Sequence, residues 1–207
     1  MKKINIIYLL PEMKGASGGA KVIYNHSIKL NNFKKNISSS VVHLKKKFSY
    51  KIENSLSKKF NIFHKQDSGW NPNKMRVSRF FSPNKNWFKK NLNYKKDFLL
   101  DKNRDFLIIP EIWSHFPEDL NLKKKGINYA IFIQGFYHMN STSNFKKLKA
   151  AYNNAKFILI SSEYNIKCFK EMFPEFKYKI LRINFSINSE KLKISKKTNT
   201  ITYMPRK

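Results

Sequence analysis

The sequence predicts an α/β fold with a doubly wound, mostly parallel sheet. Short apolar runs of strand length alternate along the chain with segments whose apolar residues have helical spacing. Apolar runs without strict alternation are typical of strands that are buried on both faces of a parallel sheet. A loop with three glycines separates the first such run from the first helical segment, which is typical of the opening of a βαβ unit.

The order of the predicted elements follows from these runs. Strands are expected at residues 3–10, 39–44, 105–110, 129–134, 156–161, 177–183 and 201–204. Helices are expected at residues 20–33, 145–154 and 162–173, and Pro174 ends the last of them. Residues 45–97 contain lysine runs, glycine and proline breaks and unpatterned aromatic residues, so we expect an irregular, partly packed insertion there.

Length and composition exclude several classes of protein. The chain has 207 residues, of which 41% are hydrophobic, and this suffices for one large domain with a buried core. A single cysteine, Cys168, excludes a disulfide framework and a cysteine-rich zinc module, and within its helix it is expected to be a core residue. No apolar run approaches the roughly 20 residues of a membrane-spanning helix, and the first run ends at Pro11 without a cleavage site. We expect a cytoplasmic protein.

The net charge of +29 is the most unusual number of the composition. Such a balance is typical of proteins with a nucleic-acid or anionic-membrane partner. However, few of the 42 basic residues are arginines, the residue preferred for bidentate phosphate recognition. Abundant Lys, Asn and Ile together are also typical of an AT-rich genome, so the charge alone leaves both explanations open.

Three loops after predicted strands hold the candidate site residues, because ligands bind outside the carboxyl ends of strands in such sheets. Gly18 and Gly19 precede the first helix, where backbone N–H groups can approach an anion. Their spacing matches neither the dinucleotide fingerprint nor a P-loop, so a tight turn remains the alternative. Gln134 and His138 follow the strand at 129–134 and offer an amide and an imidazole. A surface histidine is the alternative for His138.

Pro110, Glu111 and Trp113 form the remaining candidate turn. The Glu111 carboxylate could accept hydrogen bonds from sugar hydroxyls, and the Trp113 indole could stack on a sugar face. The alternative is an acidic residue at a helix start beside a core tryptophan. The other histidines are scattered without ligand spacing, so we predict no metal site.

Together these pieces resemble the N-terminal domain of a GT-B glycosyltransferase, closest to the retaining "group 1" family, family four. The resemblance rests on four stretches in a characteristic order: GGAKVIYNHSIKL from Gly18, the pair Pro110–Glu111, IFIQGFYH from Ile131, and ILISSEYNIKCF from Ile158. It implies a Rossmann-like acceptor-side domain at residues 1–196. Residues 197–207 resemble a linker and the first strand of a C-terminal donor-binding domain, which indicates that the chain is truncated.

The resemblance also implies a function and residue roles. A sugar would pass from a nucleotide-sugar donor, with no other cofactor, to a glycan or lipid-linked acceptor, as in the synthesis of cell-envelope polysaccharides. Gly18, Gly19, Arg206 and Lys207 would bind the donor phosphate, and Glu111, Gln134 and His138 would line the acceptor side. No general base is implied. Without its second domain, the chain is expected to be inactive. The lysine excess suits a peripheral contact with the inner face of an anionic membrane.

Three other functions remain open at this stage. A non-catalytic sugar-binding or interaction domain would explain a missing donor half. A basic nucleic-acid-binding protein would use lysines interleaved with aromatic residues, as at residues 87–90, but the scarcity of arginine argues against it. A dinucleotide-dependent enzyme conflicts with the glycine spacing.

Overall fold

A computed structural model describes residues 4–11, 18–46, 70–78, 100–139 and 144–185. Within these residues seven strands form one sheet, in the order β3-β2-β1-β4-β5-β6-β7. The strands are β1 Ile4–Pro11, β2 Ile37–Lys46, β3 Trp70–Ser78, β4 Asp105–Pro110, β5 Asn128–Ile133, β6 Phe157–Ile160 and β7 Ile180–Arg182. All neighbouring strands are parallel except β2 and β3. The predicted doubly wound α/β fold class is therefore confirmed.

The described helices cover the two faces of this sheet. The α-helices are α1 Gly18–Phe33, α2 Phe116–Asp119, α3 Phe145–Asn154 and α4 Glu163–Met172. Short 3₁₀ helices lie at Glu111–Trp113, Phe136–His138 and Pro174–Lys179. In the described part of the chain, no helix combines the length and the apolar character that crossing a membrane requires.

Alternate residues of β1, β2, β4, β5 and β6 enter two separate cores, as the pleat of a strand requires. On one face, Tyr8 of β1 and Phe132 of β5 pack with Ile23 and Tyr24 of α1. On the other face, Ile7 and its neighbours pack against α3 and α4. Both faces of the parallel strands thus bury apolar residues, which explains why the strands are continuous apolar runs in the sequence.

Strand β3 corrects the expectation that residues 45–97 are irregular throughout. It pairs antiparallel to β2, with Leu44 opposite Met75, Lys46 opposite Trp70 and a bulge between them. Its sequence, WNPNKMRVS, contains Pro72 and shows little alternation of apolar and polar residues. An edge strand tolerates both features, because the backbone groups on one of its sides need no hydrogen-bonding strand. Lys45 and Lys46 belong to β2, residues 47–69 and 79–97 lie outside the described residues, and so do residues 186–207 with the predicted strand 201–204.

The strand predicted at 177–183 is shorter than expected. Residues 177–179 of the predicted strand belong instead to the 3₁₀ helix Pro174–Lys179. Buried Phe176 anchors this helix in the core beside Phe173. Helix α4 matches the prediction: Ser162 is its N-cap, its hydroxyl oxygen accepting the backbone N–H of Asn165, and the helix ends before Pro174. Cys168 is half-buried against the core, as expected for a small packing residue.

Tyr152 of α3 ties together the two segments that follow β4 and β5. Its fully buried hydroxyl donates to the carbonyl oxygen of Met139 at 2.7 Å and lies 3.3 Å from the Ser114 hydroxyl. Its ring packs edge-on against Phe169 of α4, with the ring centroids 5.1 Å apart. One side chain thus connects both loops at the sheet edge to the helical layer.

We expect Tyr152→Phe to lower the free energy of unfolding by about 1–3 kcal/mol, because the Met139 carbonyl loses its buried donor. Urea unfolding measures the change. Tyr178→Phe is the matched control, since that ring is 73% exposed and should change stability by less than about 0.5 kcal/mol. Equal effects of the two substitutions would contradict the role of the Tyr152 hydroxyl.

Candidate functional site

The candidate site lies where the direction of the chain crossings changes, between β1 and β4. From β1 the chain passes through α1 to β2 on one side, whereas β4 is followed by β5 on the other side. The connections that leave β1 and β4 therefore diverge and open a crevice at the carboxyl edge of the sheet. The start of α1, the turn after β4 and the turn after β5 border this crevice.

Helix α1 meets the turn after β5 through a close backbone approach at Gly19. The Gln134 side chain lies over this glycine, and its Nε2 donates to the Gly19 carbonyl oxygen at 3.4 Å. A Cβ at position 19 would stand 2.9 Å from the Gln134 Oε1, whereas a Cβ at Gly18 would meet no protein atom within 4 Å. A Cβ at Gly19 would therefore displace the end of the Gln134 side chain, whereas Gly18 leaves open space among the described residues at the start of the helix.

Glu111 lies beneath the turn after β5. The side chain is only 6% exposed, and its Oε1 accepts the backbone N–H of Gly135 at 3.1 Å. Burial raises the pKa of Glu111 to about 7, although hydrogen bonds from the backbone N–H groups of Glu111, Gln134 and Gly135 oppose this rise. The predicted contact of Glu111 with an acceptor stays a prediction. The structure adds another role, which is to support the turn that carries Gln134.

Asn165 supports the same turn from α4, and the sequence analysis missed it. Its Nδ2 lies 3.4 Å from the Gln134 carbonyl oxygen, and the residue is 6% exposed. The signal available in the sequence was a lone amide on the apolar face of a helix, next to Ile166. Gln134 is thus held by both its main chain and its side chain.

The other predicted site residues have different placements. His138 is exposed at the end of the 3₁₀ helix Phe136–His138. Trp113 is fully buried and stacks on Phe116 at a centroid distance of 5.2 Å, so the suggestion that it stacks on a sugar is wrong and the core alternative is confirmed. Arg206 and Lys207 lie outside the described residues.

His43, one of the histidines without ligand spacing in the sequence, fixes the carboxyl end of β1 through hydrogen bonds. The His43 Nδ1 lies 3.3 Å from the Pro11 carbonyl oxygen and its Nε2 lies 2.6 Å from the Tyr24 hydroxyl. Because a carbonyl oxygen can only accept, Nδ1 donates to Pro11, and Nε2 shares a hydrogen bond with the Tyr24 hydroxyl. This buried chain connects β1, β2 and α1 below the crevice. Among the described residues, no group of three or more His, Cys, Asp or Glu is placed to hold a metal ion.

Comparison of the chain with protein-family models, with curated proteins and with solved structures found no match. The functional argument therefore depends on the geometry of the crevice and on the residues that border it, because a fold alone does not determine an activity.

The raised pKa of Glu111 predicts a pH-dependent stability. Between pH 4.5 and about 7 the folded protein keeps a proton that the unfolded chain has lost, so the free energy of unfolding falls as the pH rises. The loss should be at most about 3 kcal/mol. Glu111→Gln, whose amide oxygen can still accept the Gly135 N–H, should remove this dependence in urea unfolding across that range.

Glu163→Gln is the control, because Glu163 is exposed and pairs with Arg182 at the surface. It should leave the pH dependence between pH 4.5 and 7 in place. Parallel stability curves for the wild type and Glu111→Gln would contradict the assignment.

The close approach at Gly19 predicts an energetic coupling with Gln134. Gly18→Ala should stabilise the protein by up to about 1 kcal/mol through helix propensity, since nothing obstructs its Cβ. Gly19→Ala should lose this gain by displacing the Gln134 amide, and should recover it in a Gln134→Ala background. A double-mutant cycle in urea should give a coupling of about 1 kcal/mol. Additive effects would refute the contact.

Proposed function

We propose that this chain is the acceptor-side domain of a GT-B type glycosyltransferase, which transfers a sugar from a nucleotide-sugar donor to a glycan or lipid-linked acceptor. One observation carries the proposal: three of the four stretches that bear the sequence resemblance meet at the carboxyl edge of the sheet. The Gln134 amide contacts Gly19 of α1, and the Gly135 N–H is bound by Glu111 after β4. An open α/β sheet typically binds its ligand at such a place.

In this proposal the start of α1 faces the diphosphate of the donor. Gly18 and Gly19 carry no side chains that would obstruct an approaching phosphate, and the first turn of α1 contains no acidic residue. The backbone N–H groups at the start of a helix and the helix dipole favour an anion at such a point. They would stabilise the charge that develops on the leaving diphosphate when the bond from the anomeric carbon to the phosphate oxygen breaks.

The acceptor would lie on the side of the turn after β5. The Gln134 amide and the exposed His138 imidazole can both hydrogen-bond to sugar hydroxyls. Glu111 and Asn165 would act as positioning residues, because both hold the backbone of residues 134–135 from below. The family resemblance assigns the nucleotide mainly to a second domain, together with Arg206 and Lys207, and we assign no general base.

The proposal is tested by two-dimensional ¹H–¹⁵N NMR of the labelled chain with uridine diphosphate as the probe. We expect millimolar-range binding that shifts the amide signals of Gly18, Gly19, Gln134 and Gly135. Gly18→Asp should weaken this binding several-fold, because it places a negative charge at the start of α1, where the diphosphate is expected. Asn153→Asp is the matched control, because it adds the same charge at an exposed position at the opposite end of α3.

Two results would overturn the proposal. The first is that uridine diphosphate shifts no amide signal around the crevice. The second is that neutral oligosaccharides shift these signals whereas nucleotides do not, which would favour the non-catalytic sugar-binding domain instead. A transfer assay with a panel of nucleotide-sugars and glycans then distinguishes binding from turnover.

A further inference from the structure

Basic side chains concentrate at the amino edge of the sheet, which is the edge opposite the crevice. We use this name for the loops that precede β2, β4, β5, β6 and β7. Exposed basic residues lie there at Lys34–Lys35 before β2, at Lys102 and Arg104 before β4, at Lys123–Lys125 before β5, and at Lys156 before β6. The loop before β7 adds Lys177 and Lys179. Each of these loops therefore presents at least one cation.

Several contacts show that these loops form one continuous surface. The Asn5 N–H donates to the Arg104 carbonyl oxygen at 2.8 Å, and the Lys156 N–H donates to the Tyr129 carbonyl oxygen at 2.8 Å. The Lys102 side chain lies 3.7 Å from the position that a Cβ of Gly126 would occupy. Because neighbouring strands are about 4.8 Å apart, the six parallel strands make this surface roughly 24 Å wide.

The acidic residues of this edge are engaged by neighbouring groups, and Glu175 in the loop before β7 pairs with Lys149. Asp105 accepts from the Asn5 side chain at 2.9 Å and from the Asp101 N–H at 2.8 Å. They offset only part of the positive charge. At the carboxyl edge, by comparison, Arg182 pairs with Glu163. The described loops of the amino edge carry ten basic residues against Asp101, Asp105 and Glu175, so this edge is strongly positive.

Exposed aromatic rings lie among these lysines. Tyr178 is 73% exposed and Phe33 is 68% exposed. The Lys179 ammonium lies 5.7 Å from the Tyr178 ring centroid, and the Lys34 ammonium lies 5.3 Å from the Phe33 ring centroid. Lys156 and Tyr178 both line an open cavity of about 300 Å³. Cations with exposed rings are typical of surfaces that lie at the headgroup level of a bilayer.

We infer that the amino edge docks the protein onto an anionic lipid bilayer. An anionic bilayer presents negative charge over a wide plane. The ammonium groups of flexible lysine side chains suit such a surface, because binding to it requires no bidentate geometry. All but one of the cations of this edge are lysines, whereas a nucleic acid would favour arginine. This inference does not depend on sugar transfer, because vesicle binding needs neither nucleotide nor acceptor.

The test is flotation of the full chain with phosphatidylcholine vesicles, with and without phosphatidylglycerol. The edge variant replaces Lys123, Lys124 and Lys125 with Gln. The control variant replaces Lys21, Lys146 and Lys167 with Gln, and so removes the same charge from exposed positions outside the amino edge. Circular dichroism verifies that both variants are folded.

We expect the wild type and the control variant to float with anionic vesicles and not with neutral ones. The edge variant should bind anionic vesicles on the order of a hundredfold more weakly, given the contribution of each lysine near an anionic surface. Higher salt should weaken binding further. Tyr178→Ala should also weaken it, whereas Tyr164→Ala, which removes an exposed ring from the first turn of α4, should not.

Three outcomes would overturn the inference. The wild type could fail to bind anionic vesicles. Both triple variants could lose binding equally, which would make net charge rather than the amino edge responsible. Alternatively, the edge variant could lose single-stranded DNA binding without losing vesicle binding, which would assign this surface to a nucleic acid.

Discussion

Parallel pairing of β1 on both of its sides is the constraint on which the remaining structure depends. Because β2 and β4 both run parallel to β1, the carboxyl ends of the three strands lie at one edge of the sheet, and the connection from β1 to β2 crosses a face of the sheet as α1. This arrangement places the start of α1 and the turn after β4 at the same edge. His43, Tyr24 and Pro11 fix this end of β1 with buried hydrogen bonds. The crevice is thus a consequence of topology before any of its side chains is considered.

The same constraint explains which features could be predicted from the sequence. Strands buried on two faces are local apolar runs, so the sequence identifies them without any knowledge of their partners. Strand β3 could not be found in this way, because its pairing with β2 is non-local and its residues are mixed, with a proline at an edge. The short 3₁₀ helices were missed for a similar reason, since they depend on single anchors such as Phe176.

The candidate site was predictable in position but not in orientation. Gly19 and Gln134 follow strands, and parallel strands bring their carboxyl ends together, so their proximity could be expected. The sequence does not show that the Glu111 carboxyl turns inward to the Gly135 N–H, because that depends on the space left beneath the turn. Nor does it show that Asn165 reaches the same turn from another helix.

The length of the strands determines how far the two functional surfaces stand apart. Strand β5 has six residues, which corresponds to roughly 20 Å between its ends. A protein that rests on its amino edge would therefore hold the crevice about that far above the lipid headgroups. The length of the sheet would then select acceptors by their reach. Only acceptors whose sugars extend well beyond the membrane would enter the crevice, and short headgroups would be excluded by distance alone.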